Sequence, residues 1–467
     1  MDYKNEKLEE FHNFLKNKRV AVIGLGVSNI PLLDYLKEKQ AKVVVFDRKT
    51  VEETDKNLLS KFMSENIEYH LGKTYLSYLE GFDVIFRSPS CMPNIPEIEA
   101  EVKRGAILTS EIEMVLELCP GTIIGVTGSV GKTTTTSIIY EIIKKKGYNC
   151  YLGGNIGIPL FTKLPEMLPT DIIVLELSSF QLMTAKVSPA IAVMTNITEN
   201  HLDIHSSYDE YVEAKKNIFK YQNEDGVLVL NYDDDVVYKF SLEAKGKVLC
   251  FATQNKPDNG FILDEDVIKV CENKLRTHVV NTNELKIRGR HNCENICAAL
   301  CATKTLTDVD TAVKAIKEFN GVEHRIEFVR DIRGVKWYND SKATAPISTI
   351  AAIEAFSEDV ILIAGGYDKH LDYSPLAPYI VNKVKHLILV GQTATKILNV
   401  VQQEMIKQDK SLKIYPCDSL AETVAVAHKI SQKGQVVLFS PASASFDLFK
   451  NYEERGNKFK DIVNGLI

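Results

Sequence analysis

Long hydrophobic runs are absent from this 467-residue sequence. No stretch approaches the ~18 consecutive apolar residues that a membrane-spanning helix requires. The first nineteen residues, MDYKNEKLEEFHNFLKNKR, are strongly charged and lack the apolar core of a secretory signal peptide. We therefore expect a cytoplasmic protein without a membrane span.

Paired cysteines are also lacking. The nine cysteines are odd in number and form no CxxC pair, whereas disulfide frameworks and zinc sites use paired spacings. We expect reduced thiols. Cys293, Cys297 and Cys301 recur every fourth residue, on one face of a helix, and we interpret them as a small apolar stripe facing the core rather than a metal site.

The chain has no excess of positive charge. Its 56 Lys and Arg residues stand against 62 Asp and Glu, a net charge of −6, and no basic stripe is visible. This excludes the usual pattern of a nucleic-acid-binding protein. Local basic sites can still bind small anions, and a hydrophobic content of 45% is typical of a globular protein.

What the sequence does contain is an alternation of apolar strands and amphipathic helices in three blocks. We predict an α/β protein of three domains, at residues 1–118, 119–322 and 323–467. The first and third are expected to be Rossmann-like, and the central one to have a mostly parallel sheet with a phosphate loop. The break at Cys119, Pro120 and Gly121 after an acidic helix marks the first boundary.

The segment GLGVSN (24–29) is a glycine turn between a strand and a helix. It has the first two glycines of a dinucleotide fingerprint, and Asp47 follows at about the distance, roughly 20 residues, of a ribose-binding acid. Asn29 stands where the third glycine belongs. We predict a nucleotide-diphosphate site at the helix N-terminus. A purely structural βαβ unit and a nicotinamide site are the alternatives, although no hydride-transfer residues follow.

The segment GVTGSVGKTTTT (125–136) has the strand, glycine turn and helix of a phosphate loop. It departs from the usual pattern at Val126, where a glycine is expected. Lys132 can neutralise phosphate charge, and the Thr133 hydroxyl can bind Mg²⁺. Glu176 ends a later apolar strand, at the place where a second metal-binding side chain is needed.

The segment NITENHLDIH (196–205) concentrates Glu199, His201, Asp203 and His205 after another strand. The two histidines have the spacing of zinc ligands, but a zinc hydrolase would need glutamate where leucine follows the first of them. We favour a second Mg²⁺ ligand for one histidine and a solvated loop for the other residues. Two lysines at 215 and 216 have the pattern of a solvated helix surface.

TGSVGKTT (127–134), Glu176 and TENHLD (198–203) together resemble the Mur ligases of bacterial cell-wall synthesis, which are three-domain, ATP-dependent, amide-bond-forming enzymes. The family loop TGTNGKTT does not need the early glycine, and Val130 replaces its asparagine. The resemblance continues in VLELSSFQL (174–182), GGNIG (153–157), GRHNCENICAAL (289–300), GVEHRIEFV (321–329) and SPASASFDLFKNYEERGNKF (440–459).

Two further segments, NDSKATAP (339–346) and GGYDKHLDYSPL (365–376), are similar to the branch of the family that adds D-glutamate. Ala345 replaces the asparagine of the usual SKATN. The resemblance implies ATP-dependent ligation of D-glutamate to UDP-N-acetylmuramoyl-L-alanine through an acyl phosphate, as a step of peptidoglycan synthesis. A Mur or folylpolyglutamate-type ligase for another amino acid, and a non-catalytic nucleotide-binding protein, remain alternatives.

The resemblance also implies residue roles, with the protein expected to be a monomer. Catalysis would use Lys132, Glu176, His201 and Lys215. ATP would be bound by Gly128, Gly131, Lys132, Thr133, Thr134, Asn292, Asn295, Arg325, Asp340 and Lys342. Two Mg²⁺ ions would be held by Thr133, Glu176, His201 and Lys215, the last as a carbamate. The UDP end of the substrate would contact Val27, Ser28, Asp47, Arg48 and Ser88. The muramoyl-alanine end would contact Asn155, Ser178, Ser179 and Gln181. D-Glutamate would contact Thr344, Lys369, Ser445, Phe446 and Tyr452.

Overall fold

A computed structural model describes residues 3–198, 205–369 and 371–466. The expected roles of Glu199, His201 and Asp203 fall outside these residues. The chain divides into two compact units, Met1–Val280 with Glu294–Ile316, and Asn281–Cys293 with Lys317–Ile467. In the described part of the chain, no helix combines the length and apolar character that crossing a membrane would require.

The first sheet of the first unit is a five-stranded parallel sheet with helices between its strands. Its elements are α1 (Glu6–Leu15), β1 (Arg19–Ile23), α2 (Asn29–Glu38), β2 (Lys42–Asp47), α3 (Lys56–Ser64), β3 (Glu68–Leu71), β4 (Val84–Arg87), α4 (Pro96–Lys103), β5 (Ile107–Thr109) and α5 (Glu111–Leu118). The strand order is β3-β2-β1-β4-β5. The order reverses between β1 and β4, and open α/β sheets bind ligands at such a point.

The second sheet has nine strands. The elements from here to the end of the central block are β6 (Thr122–Thr127), α6 (Lys132–Lys146), β7 (Cys150–Gly154), β8 (Ile172–Glu176), α7 (Ser179–Leu182), β9 (Ile191–Met194), α8 (Tyr208–Lys216), β10 (Val227–Asn231), α9 (Asp235–Lys239), β11 (Lys247–Ala252), β12 (Gly260–Asp264), β13 (Val267–Glu272), β14 (Leu275–Asn281), α10 (Arg290–Thr303) and α11 (Val309–Glu318). The order is β14-β13-β12-β11-β10-β9-β6-β8-β7. Strand β6 therefore lies between β9 and β8, parallel to both, and the loops after these three strands meet at one edge.

The second unit contains a six-stranded sheet. Its elements are β15 (Glu327–Ile332), β16 (Val335–Asn339), α12 (Pro346–Glu354), β17 (Val360–Ala364), α13 (Ala377–Lys383), β18 (Val384–Leu389), α14 (Ala394–Gln408), β19 (Lys413–Pro416), α15 (Leu420–Ile430), β20 (Val436–Phe439) and α16 (Tyr452–Asn464). The order is β15-β16-β20-β17-β18-β19, antiparallel only in the pair β15 and β16.

The sequence predicted the α/β class and the buried strands, and the structure confirms both. It did not predict the edge strands β3, β7, β15 and β19, because their residues are largely half-exposed and give no continuous apolar run. The stripe of Cys293, Cys297 and Cys301 is buried, as expected. Among the described residues, no group of His, Cys, Asp or Glu is arranged to hold a metal ion by itself.

Candidate active site

The phosphate loop follows β6, and its shape depends on two glycines. Gly128 has φ +149° and Gly131 has φ +88°. A Cβ on Gly128 would lie 1.9 Å from Thr195 Oγ1, and one on Gly131 would lie 2.5 Å from Asn295 Oδ1. Neither position accepts another residue without displacement of its neighbour. Val126 is a buried residue of β6 itself, which explains why the loop does not need a glycine there.

Two polar residues directly after β9 hold the phosphate loop by hydrogen bonds. The Asn196 amide accepts from Val130 N (2.8 Å) and donates to Val130 O (3.0 Å), and Thr195 Oγ1 donates to the same carbonyl (2.6 Å). The Ser129 hydroxyl lies 2.8 Å from Tyr211 OH. The sequence did not predict a role for these supporting side chains. The available signal was a pair of polar residues directly after a strand that neighbours the loop strand.

Lys132 begins α6 and folds back over the loop. Its Nζ donates to the carbonyls of Gly128 (2.9 Å) and Ser129 (3.1 Å). Thr133 is half-buried in the first helical turn, and Thr134 is buried. Asn295, expected near adenine, lies against this turn, where its Oδ1 accepts from Thr135 Oγ1 (3.2 Å). An ammonium, backbone N–H groups and a helix N-terminus thus converge where a phosphate would be bound.

Glu176 ends β8 and is buried. Its Oε1 accepts from Asn155 Nδ2 (2.9 Å), while its Oε2 is buried with no hydrogen-bond partner among the described residues. A buried carboxylate oxygen without a partner is costly. A divalent cation would satisfy it, so the donor set at this position fits a metal ion.

Lys215 is almost completely buried, contrary to the expectation of a surface lysine. Its Nζ donates to Gly128 O (2.9 Å) and lies 4.7 Å from the centre of the Tyr211 ring. Burial and the nearby charge of Lys132 lower the pKa of Lys215 well below its usual value, while Glu176 opposes the shift. The amine is therefore held closer to its neutral form. Lys216 does pair at the surface, with Glu213 and Glu243.

His205 is not part of a solvated loop, and that interpretation was wrong. The ring is buried, stacks on Phe180 (4.9 Å between centres) and places Nε2 2.9 Å from Ser179 Oγ. Ser178 and Gln181 form a capping box at the start of α7, in which each side chain bonds the backbone N–H of the other. The Ser178–Gln181 turn is thus held by its own side chains and by this histidine.

These elements enclose a cavity of about 400 Å³ within the first unit. Its lining joins the phosphate loop, the start of α7, two residues of α8 and the loop after β4. The lining residues are Pro89, Ser90, Met92, Gly128, Lys132, Asn155, Ser178, Ser179, Phe180, Tyr211 and Lys215. Residues expected to bind ATP, metal and the muramoyl end of the substrate therefore come together at one place.

The glycine turn at 24–29 lies at the switch point of the first sheet. Gly24 has φ +91°, and a Cβ there would lie 2.5 Å from Ser88 Oγ. The Asn29 amide is buried and donates to the carbonyls of Ile23 and Gly24 (both 3.0 Å). The asparagine side chain thus bonds the turn at the position where the dinucleotide fingerprint has a glycine for close packing of helix and strand, which argues against the nicotinamide alternative.

The Asp47 carboxylate is used within the turn. Its Oδ2 accepts from Leu25 N (2.5 Å), and its Oδ1 accepts from Lys49 N (2.8 Å). The remaining expected contacts of the UDP end differ in exposure. Val27 and Arg48 are exposed, whereas Ser88 is half-buried. A ribose contact of Asp47 would have to share oxygens that already accept hydrogen bonds.

In the second unit, Arg325 lies between two residues with left-handed backbone, His324 (φ 64°) and Ile326 (φ 44°). A β-branched residue in that region is strained, and such strain clusters at functional sites. Ile326 N donates to Asp340 Oδ1 (3.2 Å), and Ser440 Oγ donates to Asp340 Oδ2 (2.6 Å). Burial raises the pKa of Asp340 to about 7, against the effect of these bonds.

The expected D-glutamate residues lie on loops of the same unit, except Tyr452, which is the first residue of α16. Lys369 Nζ lies 5.5 Å from the Phe446 ring, and Lys342 Nζ lies 5.7 Å from the Tyr452 ring. Ser445 is buried, Thr344 is half-buried, and Asn292 donates to Arg288 O (2.7 Å). Ala345 is the N-cap of α12 and has no capping side chain.

The sequence did not predict a role for Arg455, whose side chain connects these loops by hydrogen bonds. The buried guanidinium donates to the carbonyls of Ser341, Ser443 and Ala444, and its Nε donates to Ser341 Oγ. It lies in the first turns of α16, where charged residues are normally solvated. The available signal was its place in the long segment SPASASFDLFKNYEERGNKF (440–459), which resembles the Mur ligases.

Comparisons with known proteins decide the family. Three family models match: "Mur ligase MurD-like, N-terminal domain" at residues 18–110, "Mur ligase middle domain" at 126–303 and "Mur ligase, glutamate ligase domain" at 324–443. A UDP-N-acetylmuramoylalanine–D-glutamate ligase of Acetivibrio thermocellus is 49% identical over 99% of both chains. The chain belongs to the Mur ligase family. The enzyme of the same name from Ruminiclostridium cellulolyticum is 47% identical to this Mur ligase, over 99% of this chain and all of that one.

Solved structures agree with this fold. The UDP-N-acetylmuramate–alanine ligase of Thermotoga maritima matches this Mur ligase with a TM-score of 0.58 at 17% identity, over 96% of this chain and 99% of that one. A MurF ligase of the same organism, in complex with ADP, matches with a TM-score of 0.55 at 19% identity, over 97% and 96%. The three-domain α/β architecture expected from the sequence is thus confirmed.

Proposed function

We propose that this Mur ligase joins D-glutamate to UDP-N-acetylmuramoyl-L-alanine, with cleavage of ATP to ADP and phosphate, as a step of peptidoglycan precursor synthesis. The names of the full-length relatives support this reaction. The observation that carries it is the cavity of about 400 Å³, where the phosphate loop meets the turn of Ser178–Phe180 and the loop after β4.

A carboxylate must be activated before an amine can displace one of its oxygens at neutral pH. In the proposed reaction the carboxylate of the alanyl group attacks the γ-phosphorus of ATP and ADP leaves. The D-glutamate amine then attacks the acyl phosphate, and phosphate leaves as the amide forms. Lys132 and the loop N–H groups would offset negative charge as it moves between the two anions.

We propose Mg²⁺ for two positions. Glu176, with its unpartnered buried oxygen, and Thr133 would hold the first ion. His201, outside the described residues, and a carbamate on Lys215 would hold the second. Bound Mg²⁺ would neutralise phosphate charge and orient the γ-phosphoryl group.

The environment of Lys215 supports the carbamate. A neutral amine is needed to attack CO₂, and burial lowers the pKa of this lysine. Its Nζ would form a bond to the carbon of CO₂ and release a proton, which replaces a buried neutral amine by an anion close to the proposed metal positions.

The second unit would supply the residues that bind D-glutamate and some of those that bind ATP. Arg325, Asp340 and Lys342 would contact ribose and phosphates, with Asn292 and Asn295 on the adenine side. The amino acid would be held by Thr344, Lys369, Ser445, Phe446 and Tyr452. We further propose domain boundaries near residues 118 and 322 and a monomeric enzyme.

Phosphate release tests the proposal. Purified protein is incubated with ATP, Mg²⁺ and UDP-N-acetylmuramoyl-L-alanine, and D-glutamate, L-glutamate, L-alanine, lysine or diaminopimelate is added singly. Release should require both D-glutamate and the UDP-sugar, and Glu176→Gln should abolish it at ordinary Mg²⁺ concentration. Release driven by another amino acid would overturn the substrate. ATP binding without any release would favour a non-catalytic nucleotide-binding protein.

A further inference from the structure

Arg87, the last residue of β4, has a buried guanidinium that bonds to two separate loops. Its Nη1 donates to Cys91 O (3.2 Å), in the loop that follows β4. Its Nη2 donates to Phe180 O (2.9 Å) and Thr184 Oγ1 (2.8 Å), in and after α7. Arg87 thus bridges the first sheet and the start of α7, both within the first unit.

Both bridged segments contribute residues to the lining of the cavity. Pro89, Ser90 and Met92 line it from the loop after β4, and Phe180 lines it from α7. A shift of Arg87 would therefore displace lining residues on both segments. None of the cavity-lining residues is Arg87 itself, so it acts through the loops.

The hydrogen bonds of Arg87 are better suited to fixing the position of the two segments than to stabilising the fold. Its Nε is buried with no partner among the described residues, and the carboxylate of Glu113 is 3.6 Å from Nη2. Buried polar atoms without partners require an explanation. Replacing a buried ion pair by apolar groups is often neutral or stabilising.

Glu111 provides a matched comparison. It is also buried and also connects the N-terminal region to the central block, in this case from α5, because its Oε1 accepts from Leu160 N (2.7 Å) and Phe161 N (2.8 Å). Neither partner lines the cavity. Glu111 therefore docks the same two regions without touching the cavity walls.

We propose that Arg87 is a positioning residue for the UDP-sugar substrate, holding the loop after β4 at a fixed distance from the start of α7. The inference rests on the proposed function for the identity of that substrate. Arg87 bonds no residue of the phosphate loop in these contacts, and the inference assigns it no contact with ATP.

The test compares Arg87→Met, Arg87→Lys and Glu111→Gln. Steady-state kinetics give KM for UDP-N-acetylmuramoyl-L-alanine and for ATP, and calorimetry gives both dissociation constants without turnover. For Arg87→Met we expect the constant for the UDP-sugar to rise about tenfold or more, since small misplacements of binding groups are costly, while that for ATP stays near wild type. Arg87→Lys keeps the charge but cannot bond both loops, so it should behave similarly. Glu111→Gln should lower the melting temperature with both constants unchanged.

Wild-type UDP-sugar affinity in Arg87→Met, or in Arg87→Lys should the first variant fail to fold, would overturn the inference. So would an equal loss of affinity for ATP and UDP-sugar, because that pattern indicates general damage. The proposed function fails separately, when the wild-type protein releases no phosphate with D-glutamate. The calorimetric constants still test Arg87 in that case.

Discussion

Two strand–glycine–helix turns in this molecule look alike in sequence and differ in construction. In the phosphate loop, Gly128 and Gly131 are each confined by a side chain from a neighbouring element. In the turn GLGVSN, only Gly24 is confined, while no described atom lies within 4 Å of a Cβ added to Gly26. The exposed side chain of Val27 follows it.

The difference teaches that a glycine can be required for two reasons. A glycine confined by the protein keeps a loop preformed, so its replacement damages the loop itself. A glycine that faces open space leaves room for a ligand, so its replacement affects binding only. The phosphate loop is of the first kind, and we propose that the second glycine of GLGVSN is of the second kind.

The largest expected effect comes from replacing a glycine of the phosphate loop by alanine. Gly128→Ala places a Cβ 1.9 Å from Thr195 Oγ1 at φ +149°. Such backbone strain alone costs about 1–3 kcal/mol, and a loop displaced by 1 Å can lose about a hundredfold in rate. We expect at least that loss of phosphate release, with weaker ATP binding by calorimetry.

Gly26→Ala is the matched control. It should keep the wild-type melting temperature and ATP affinity and weaken only the binding of the UDP-sugar. Normal ATP turnover by Gly128→Ala would break the comparison, because the loop would then tolerate what its neighbours exclude.

Lys215→Ala sharpens the comparison of the two turns. Lys215 supports the phosphate loop by donating to Gly128 O, whereas the described contacts of GLGVSN include no such buried lysine. Groups that only orient metal ligands are worth about 10- to 100-fold in activity, and a carbamate ligand should be worth at least as much. We expect slow phosphate release that added acetate or formate partly restores.

Lys216→Ala serves as its control, because that neighbouring side chain pairs at the surface with Glu213 and Glu243. It should retain wild-type rates. A Lys215→Ala enzyme that no carboxylate rescues would leave the buried lysine as a support of the loop and remove the case for a carbamate.

Sequence patterns predicted the parts of this fold that depend on local order along the chain. The spacing of apolar residues, together with the positions of glycine and proline, located the buried strands, the acidic helix α5 and the cysteine stripe of α10. The phosphate loop was readable because Lys132 and its glycines are contiguous. The cavity itself joins segments from positions 89 to 215, and a sequence pattern carries no distance between them.

The supports of the site could not be read from the sequence for a second reason. His205, Arg87 and Arg455 are polar residues in segments where exposure is the ordinary expectation. Their burial depends on partners more than ten positions away, such as Ser179 for the histidine and Phe180 for Arg87. Only the fold brings those partners together.

Asn29→Gly has a smaller expected effect and tests the open turn. It creates the third glycine of the dinucleotide fingerprint but removes two buried hydrogen bonds, to Ile23 O and Gly24 O. Ile23 O keeps its bond from Ser88 N (2.8 Å), but Gly24 O loses the Asn29 donor. The lost bonds should lower the free energy of unfolding by about 1–3 kcal/mol, measured by urea denaturation. We expect no gain of NADH binding by fluorescence, and such a gain would revive the nicotinamide alternative.

Val130→Asn has the smallest expected effect and tests how completely the phosphate loop is preformed. The Val130 side chain is exposed, while its backbone N–H and carbonyl are already held by Asn196 and Thr195. The asparagine usual in the family should therefore change the ATP dissociation constant by less than about threefold, or ~0.65 kcal/mol. Calorimetry with ATP and Mg²⁺ measures this directly. A gain of tenfold or more would mean that the loop is poorly ordered with valine, and that the two turns differ less than their glycines indicate.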